Sequence, residues 1–177
     1  VLCAVSCGNK TSIDMTVEGA PSTALAVYKL NASSSELLDS VKTDSHGRFR
    51  YNVKVEKGQP EFVYIYDGDT RLASLLLESG QKVVVDADTT GKYSVSGSEG
   101  SSELSEVEKD YNAFLHNMMA CEDDRSAVST YLAYYRSRVK YVMSHSKSLS
   151  VIPVFYQVLS PGVPVFSQPT DAVLFRS

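Results

Sequence analysis

Between residues 48 and 55 apolar Phe49, Tyr51, Val53 and Val55 alternate strictly with Arg48, Arg50, Asn52 and Lys54, a period of two that commits this stretch to extended structure. Successive side chains of a strand point to opposite faces, so one face of this segment is apolar and the other is charged. Asp44-Ser45-His46-Gly47 stands just before it with turn chemistry. The aspartate bonds the backbone of the residues that follow, and the glycine accepts a positive φ. The spacing predicts a β-hairpin across Val41–Val55 with its tip at Asp44–Gly47.

The same grammar runs through the first hundred residues. Ile13, Met15 and Val17 alternate with Asp14, Thr16 and Glu18 until Gly19-Ala20-Pro21-Ser22 breaks the pattern. Ala24–Lys29 is a short apolar run, Asn31–Ser35 reads as a loop, and Glu36–Lys42 leads into the predicted hairpin. Glu61–Asp67, dense in β-branched and aromatic residues, reads as a strand buried on both faces. Arg71–Glu78, Gln81–Ala87 and Tyr93–Val95 follow, separated by Asp67-Gly68-Asp69, Ser79-Gly80 and other turn signals. Roughly eight short strands with a turn signal about every ten residues predict a mainly β fold, an antiparallel β-sandwich over residues 12–98.

After Ser98 the period changes. Ser101-Ser102-Glu103 reads as a helix start, followed by Leu104, Val107, Tyr111, Phe114, Leu115 and Met118 at three- and four-residue spacing. Glu103, Glu106 and Glu108 crowd the opening turns, where the helix dipole favours negative charge. Glu122-Asp123-Asp124 interrupts. A second amphipathic helix is expected from about Ser126 to Ser144 through Val128, Tyr131, Leu132, Tyr135, Val139 and Val142. A third short segment, Val151–Leu159, is stopped by Ser160-Pro161-Gly162. Residues 99–177 therefore form an α-helical spacer. At its end Thr170 or Asp171 has the character of an N-cap before a helix that does not complete. An isolated helical turn is unstable, so the chain is expected to belong to a longer protein.

Composition narrows the function. A formal charge of −4 without clustered lysine and arginine argues against a nucleic-acid partner. No apolar run is long enough to span a bilayer. Three cysteines are too few for a disulfide-stapled miniprotein. The N-terminus, however, carries an address. Ala4-Val5-Ser6-Cys7 resembles the lipobox of bacterial lipoprotein signals, with small and apolar residues up to the cysteine and polar residues directly after it. That resemblance implies lipidation of Cys7 and makes residues 1–11 a signal remnant and polar tether. It implies a membrane as partner through the lipid anchor, and a cell-envelope location facing the periplasm.

Several strand-end motifs, taken in order, carry a second resemblance. Val17-Glu18-Gly19, Asp39–Asp44 with Gly47-Arg48-Phe49, Leu77-Glu78-Ser79-Gly80 and Val95-Ser96-Gly97-Ser98 are similar to successive landmarks of a domain of unknown function. That domain is found near the N-terminus of Bacteroidetes-type envelope lipoproteins, ahead of thioredoxin-like domains of the AhpC/TSA, TlpA-like kind. The resemblance implies a non-catalytic module that positions or dimerises a downstream thioredoxin-like domain of a thiol:disulfide oxidoreductase. The family's redox chemistry belongs to a Cys-x-x-Cys motif that this chain lacks, so it lends this chain no catalytic residue and no cofactor.

The remaining candidates read as structural. Cys121 falls near a helix C-terminus before Glu122-Asp123-Asp124, a setting that disfavours a reactive thiolate. His46, His116 and His145 fall in a turn and two different helices, without the close spacing of a metal site on one element. Asp67-Gly68-Asp69 and Asp86-Ala87-Asp88 lack the terminal bidentate glutamate of a calcium loop and read as turn chemistry. The tyrosines leave one alternative, a stand-alone lipoprotein that binds a glycan or peptide on the sandwich, in a groove lined by Tyr51, Tyr64 and Tyr66. Core and cross-strand packing is the competing account of the same residues.

Overall fold

The computed structural model describes residues 10–31, 34–167 and 171. The lipobox with Cys7, and Thr170 at the other end, lie outside the described residues. The chain is mainly β, with helices in its C-terminal part, and divides into two compact units at Ser105.

The first unit carries eight strands: β1 (Lys10–Glu18), β2 (Ala24–Leu30), β3 (Ser35–Lys42), β4 (Arg48–Lys54), β5 (Glu61–Asp67), β6 (Thr70–Leu77), β7 (Lys82–Asp88) and β8 (Tyr93–Ser96). They form two four-stranded sheets, ordered β4-β1-β7-β8 and β3-β2-β5-β6. One core lies between them. The first sheet contributes Ile13, Met15, Val17, Val53, Val83 and Val85; the second contributes Leu25, Val27, Val63, Ile65, Leu75 and Leu77. Each side chain of this kind, fully removed from water, contributes about 1.5–3 kcal/mol. The alternation on β4 is realised, with Arg48, Arg50, Asn52 and Lys54 in solvent and Val53 and Val55 buried.

The hairpin predicted for Val41–Val55 is a sheet-to-sheet corner instead. The turn itself forms as expected: the Asp44 carboxylate accepts the N–H groups of His46 at 2.8 Å and Arg48 at 2.9 Å. But β3 pairs with β2, and β4 pairs with β1, in different sheets. Two arms, Lys10–Leu30 and Ser35–Lys54, run antiparallel along their length and bend at a shared corner. Thr43 holds that corner, its hydroxyl donating to the Ala20 carbonyl at 2.6 Å and accepting the Thr23 N–H at 2.8 Å. The Gly47 carbonyl accepts the Val17 N–H at 2.8 Å. A tight turn between amphipathic strands serves a hairpin or a corner equally well, and long-range bonds choose the corner.

A second departure from simple antiparallel order is β7, which pairs parallel to β1. Its entry is set by Thr11, fully buried, whose hydroxyl donates to the Glu78 carbonyl at 2.6 Å and accepts the Gly80 N–H at 3.0 Å. Lys10 and Thr11, read from sequence as the end of the tether, accordingly belong to β1.

Helix α1 (Glu99–Met119) begins two residues before the expected start. Its opening turn serves the first unit. Edge strands expose unpaired backbone groups that invite association with other chains. Here Ser101 Oγ accepts the Leu76 N–H at 3.0 Å, and the hydroxyls of Ser98 and Ser101 donate to the Leu76 carbonyl at 2.9 and 3.0 Å. The Tyr93 hydroxyl donates to the Ser74 carbonyl at 3.1 Å. Serine-rich 94–102 thus blunts the edge of β6, and the two compact units divide inside α1.

The second unit contains the rest of α1, α2 (Asp124–Ser144), a 3-10 turn (Leu149–Val151), α3 (Ile152–Phe155) and a small hairpin of β9 (Val158–Ser160) with β10 (Val163–Pro164). Asp123 caps α2, accepting the Ser126 N–H at 2.7 Å. The Val151–Leu159 segment is helical only as far as Phe155, beyond which residues 158–160 enter β9.

Candidate functional site

Helix α2 buries part of the face its hydrophobic pattern indicates, with Val142 in the core and Tyr131, Tyr135 and Val139 packed against it, but the buried stripe is shifted. Tyr134, Arg138 and Val142 are buried, whereas Val128 and Leu132 are 57% and 39% exposed. A buried arginine is tolerated when its charge is paired and its face is covered. Arg138 Nη2 donates to Asp110 Oδ2 at 2.6 Å, and its guanidinium lies 5.2 and 5.4 Å from the ring centroids of Tyr134 and Tyr141. Tyr134 stacks on Phe114 with centroids 4.0 Å apart. These groups, with Ala113, Ser129, Ala133 and Ser137, border an open groove of about 560 Å³ between α1 and α2.

The tyrosines of this unit are consumed by its own C-terminal segment. The Tyr111 hydroxyl donates to the Val158 carbonyl at 2.6 Å, Tyr131 to the Val165 carbonyl at 3.0 Å, and Tyr134 to Gln157 Oε1 at 2.7 Å. Tyr135 donates to the Asp171 carboxylate. This carboxylate, together with burial, raises the Tyr135 pKa to about 12, and burial raises those of Tyr131 and Tyr134 as well. A folded-state pKa above the unfolded value of about 10 stabilises the fold fully below that pH. The contribution fades as pH rises toward about 12. Denaturant midpoints measured across this alkaline range are expected to fall in the wild type. Tyr135→Phe is expected to lose about 1 kcal/mol at neutral pH and then to fall less steeply.

Several large apolar side chains remain in solvent on the helical unit. Met119 is 82% exposed, Tyr156 78% and Met143 67%. Exposed apolar residues standing singly are ordinary; a contiguous patch of them is what marks a partner surface.

The sandwich offers a smaller feature. The β2–β5 register pairs Ala26 with Tyr66 and Tyr28 with Tyr64, and Val27 and Ile65 face the core, so the three tyrosines lie on the outer face. Tyr28 and Tyr66 meet edge to face, centroids 5.7 Å apart. With Leu30, Ser35, Gly68 and Asp69 they line a groove of about 270 Å³. Tyr64 is buried and lies under the Arg71 guanidinium, 5.0 Å from its ring centroid. Tyr51 is on β4 in the other sheet and packs against the core. The expected trio of Tyr51, Tyr64 and Tyr66 therefore lines no common groove, and Tyr28, which the pattern did not single out, is the neighbour of Tyr66.

The other candidates are placed apart. Cys121 follows α1, half-buried, with Sγ 3.2 Å from the Asn117 carbonyl and 3.6 Å from Thr130 Oγ1. His145 stacks on Tyr141 at 4.1 Å. His46 is exposed in the corner turn and His116 lies on α1. Among the described residues no three histidine, cysteine or carboxylate side chains gather as a metal site would require. No helix among them is long and apolar enough to cross a membrane. Asp88 closes its own turn, accepting the N–H groups of Thr90 at 2.8 Å and Lys92 at 3.1 Å. No family model matches the chain, and no curated protein matches it.

Proposed function

We propose that this chain is a non-catalytic module of a cell-envelope lipoprotein, held at the membrane by lipid on Cys7 and positioning or dimerising a thioredoxin-like domain. The observation that carries this reading is the contrast between the two units. The sandwich is closed on itself, its core filled and its β6 edge blunted by serine hydroxyls. Among the described residues the sandwich exposes two large apolar side chains, Leu37 and Val84, whereas the helical unit exposes nine, Met119, Tyr156, Met143 and Val128 the most, which suits a surface that another domain covers. The sequence motifs that resemble landmarks of the lipoprotein domain support it further. They fall at corners of the sandwich: the end of β1, the Asp44–Gly47 corner, the β6–β7 crossing and the end of β8. These are places where backbone chemistry is most restrictive.

The test is made on native protein extracted from membranes. Its intact mass is expected to exceed that of this chain and its C-terminal sequence to include Cys-x-x-Cys. Cys7→Ser is expected to shift the protein from the membrane to the soluble periplasmic fraction. A native protein without Cys-x-x-Cys removes the redox role, and unchanged fractionation of Cys7→Ser removes the anchor.

A further inference from the structure

The groove beside Tyr28 and Tyr66 gathers unbonded polar groups around two touching rings, whereas the other phenols without a hydrogen bond among the described residues, Tyr51 and Tyr156, line no groove with them. The hydroxyls of Tyr93, Tyr111, Tyr131, Tyr134, Tyr135 and Tyr141 are all bonded within the protein. Those of Tyr28 and Tyr66 bond to none of the described residues, and the same holds for the Ser35 hydroxyl. The acidic turns show the same contrast. Asp44 and Asp88 direct their carboxylates to their own turn backbones. Asp69 does not, because the two-residue β5–β6 loop is closed by the Asp67–Thr70 pairing with Gly68 in its first position. Two phenols, an alcohol and a carboxylate, none of them bonded to another of the described residues, thus surround a small aromatic groove.

From this arrangement we propose that the groove is a subsite for one neutral pyranose ring of a glycan. The C–H face of a sugar packs on aromatic rings, and its hydroxyls need several acceptors and donors set close around that contact. The Asp69 carboxylate is the acceptor for two adjacent hydroxyls, a charge-assisted arrangement, and Ser35 and the phenols complete the set. A volume of about 270 Å³ lies just below the usual range of about 300–1,000 Å³ for small-molecule sites, which fits one ring and not an oligosaccharide. Asp69 at the rim repels uronic acids and phosphorylated sugars. This site is independent of the anchoring role proposed above.

Methyl glycosides of neutral hexoses and N-acetylhexosamines, with glucuronic acid as the anionic comparison, are titrated into the protein while tyrosine ring resonances are followed by NMR. Saturable shifts at Tyr28 and Tyr66 with a neutral sugar, and weaker ones with glucuronic acid, are expected. Tyr66→Ala should weaken binding by about tenfold. Because that change also removes the Tyr28–Tyr66 ring contact, Asp69→Asn is the companion variant. Its carboxylate bonds none of the described residues, so the melting temperature should hold while neutral-sugar affinity falls and discrimination against glucuronic acid narrows. No saturable shift with any neutral sugar, or shifts that survive both variants unchanged, would overturn the assignment.

Discussion

Gly47→Ala is expected to lower the stability of the sandwich by about 3–5 kcal/mol. The residue has φ 75° at the corner where both arms change sheets, and a Cβ there would sit 2.2 Å from the Val17 carbonyl oxygen. That oxygen belongs to β1 backbone and cannot swing aside as a side-chain terminus would. Relief would require β1 and β4 to separate, breaking the Val17–Gly47 hydrogen bond. Gly58→Ala is the matched comparison. It has φ 78° but nothing within 4 Å of the added carbon, so it should cost only the left-handed backbone penalty of about 1–2 kcal/mol. Urea midpoints of the two variants, at unchanged m-value, separate the close approach from the dihedral. Equal losses would show that the corner is not tightly packed.

Phe114→Ala is expected to cost the helical unit about 3–5 kcal/mol. Phe114 is 3% exposed and stacks on Tyr134, whose ring is one of two flanking Arg138. Truncation therefore opens a cavity and also exposes one side of the arrangement that makes a buried guanidinium tolerable. The loss should be visible as an earlier fall of the far-UV helical signal in denaturant. Val128→Ala, on the exposed flank of the same helix pair, should change stability by no more than about 0.5 kcal/mol. If Val128→Ala proved as costly as Phe114→Ala, the buried face of α2 would be assigned wrongly.

The sequence reading succeeded where the determinant was local. Period-two alternation, together with short apolar runs bounded by turn signals, placed eight strands, and three- and four-residue spacing placed two helices, because these patterns are properties of neighbouring residues whatever the element packs against. Asp44 and Gly47 announced a turn for the same reason: the turn's hydrogen bonds are made within five residues. Pairing was another matter. Whether β3 and β4 form a hairpin or part at a corner depends on Thr43 reaching Ala20 and Thr23, and the parallel β1–β7 pairing depends on Thr11 reaching Glu78 and Gly80.

The faces of α2 and the aromatic groove follow the same division. Hydropathy assigns Arg138 to solvent and Val128 to the core, and the structure reverses both; the rings that flank the guanidinium, Tyr134 and Tyr141, are on α2 itself, but the paired charge, Asp110, comes from α1, which the sequence of α2 alone cannot show. Tyrosine abundance was plain from composition, but only the folded chain separates phenols that tie down residues 157–171 from the two left open beside Asp69. Local periodicity is a property of consecutive residues. Partner choice, burial of charge and the vacancy of a groove arise from residues brought together across long stretches of chain, and there the tertiary structure decides.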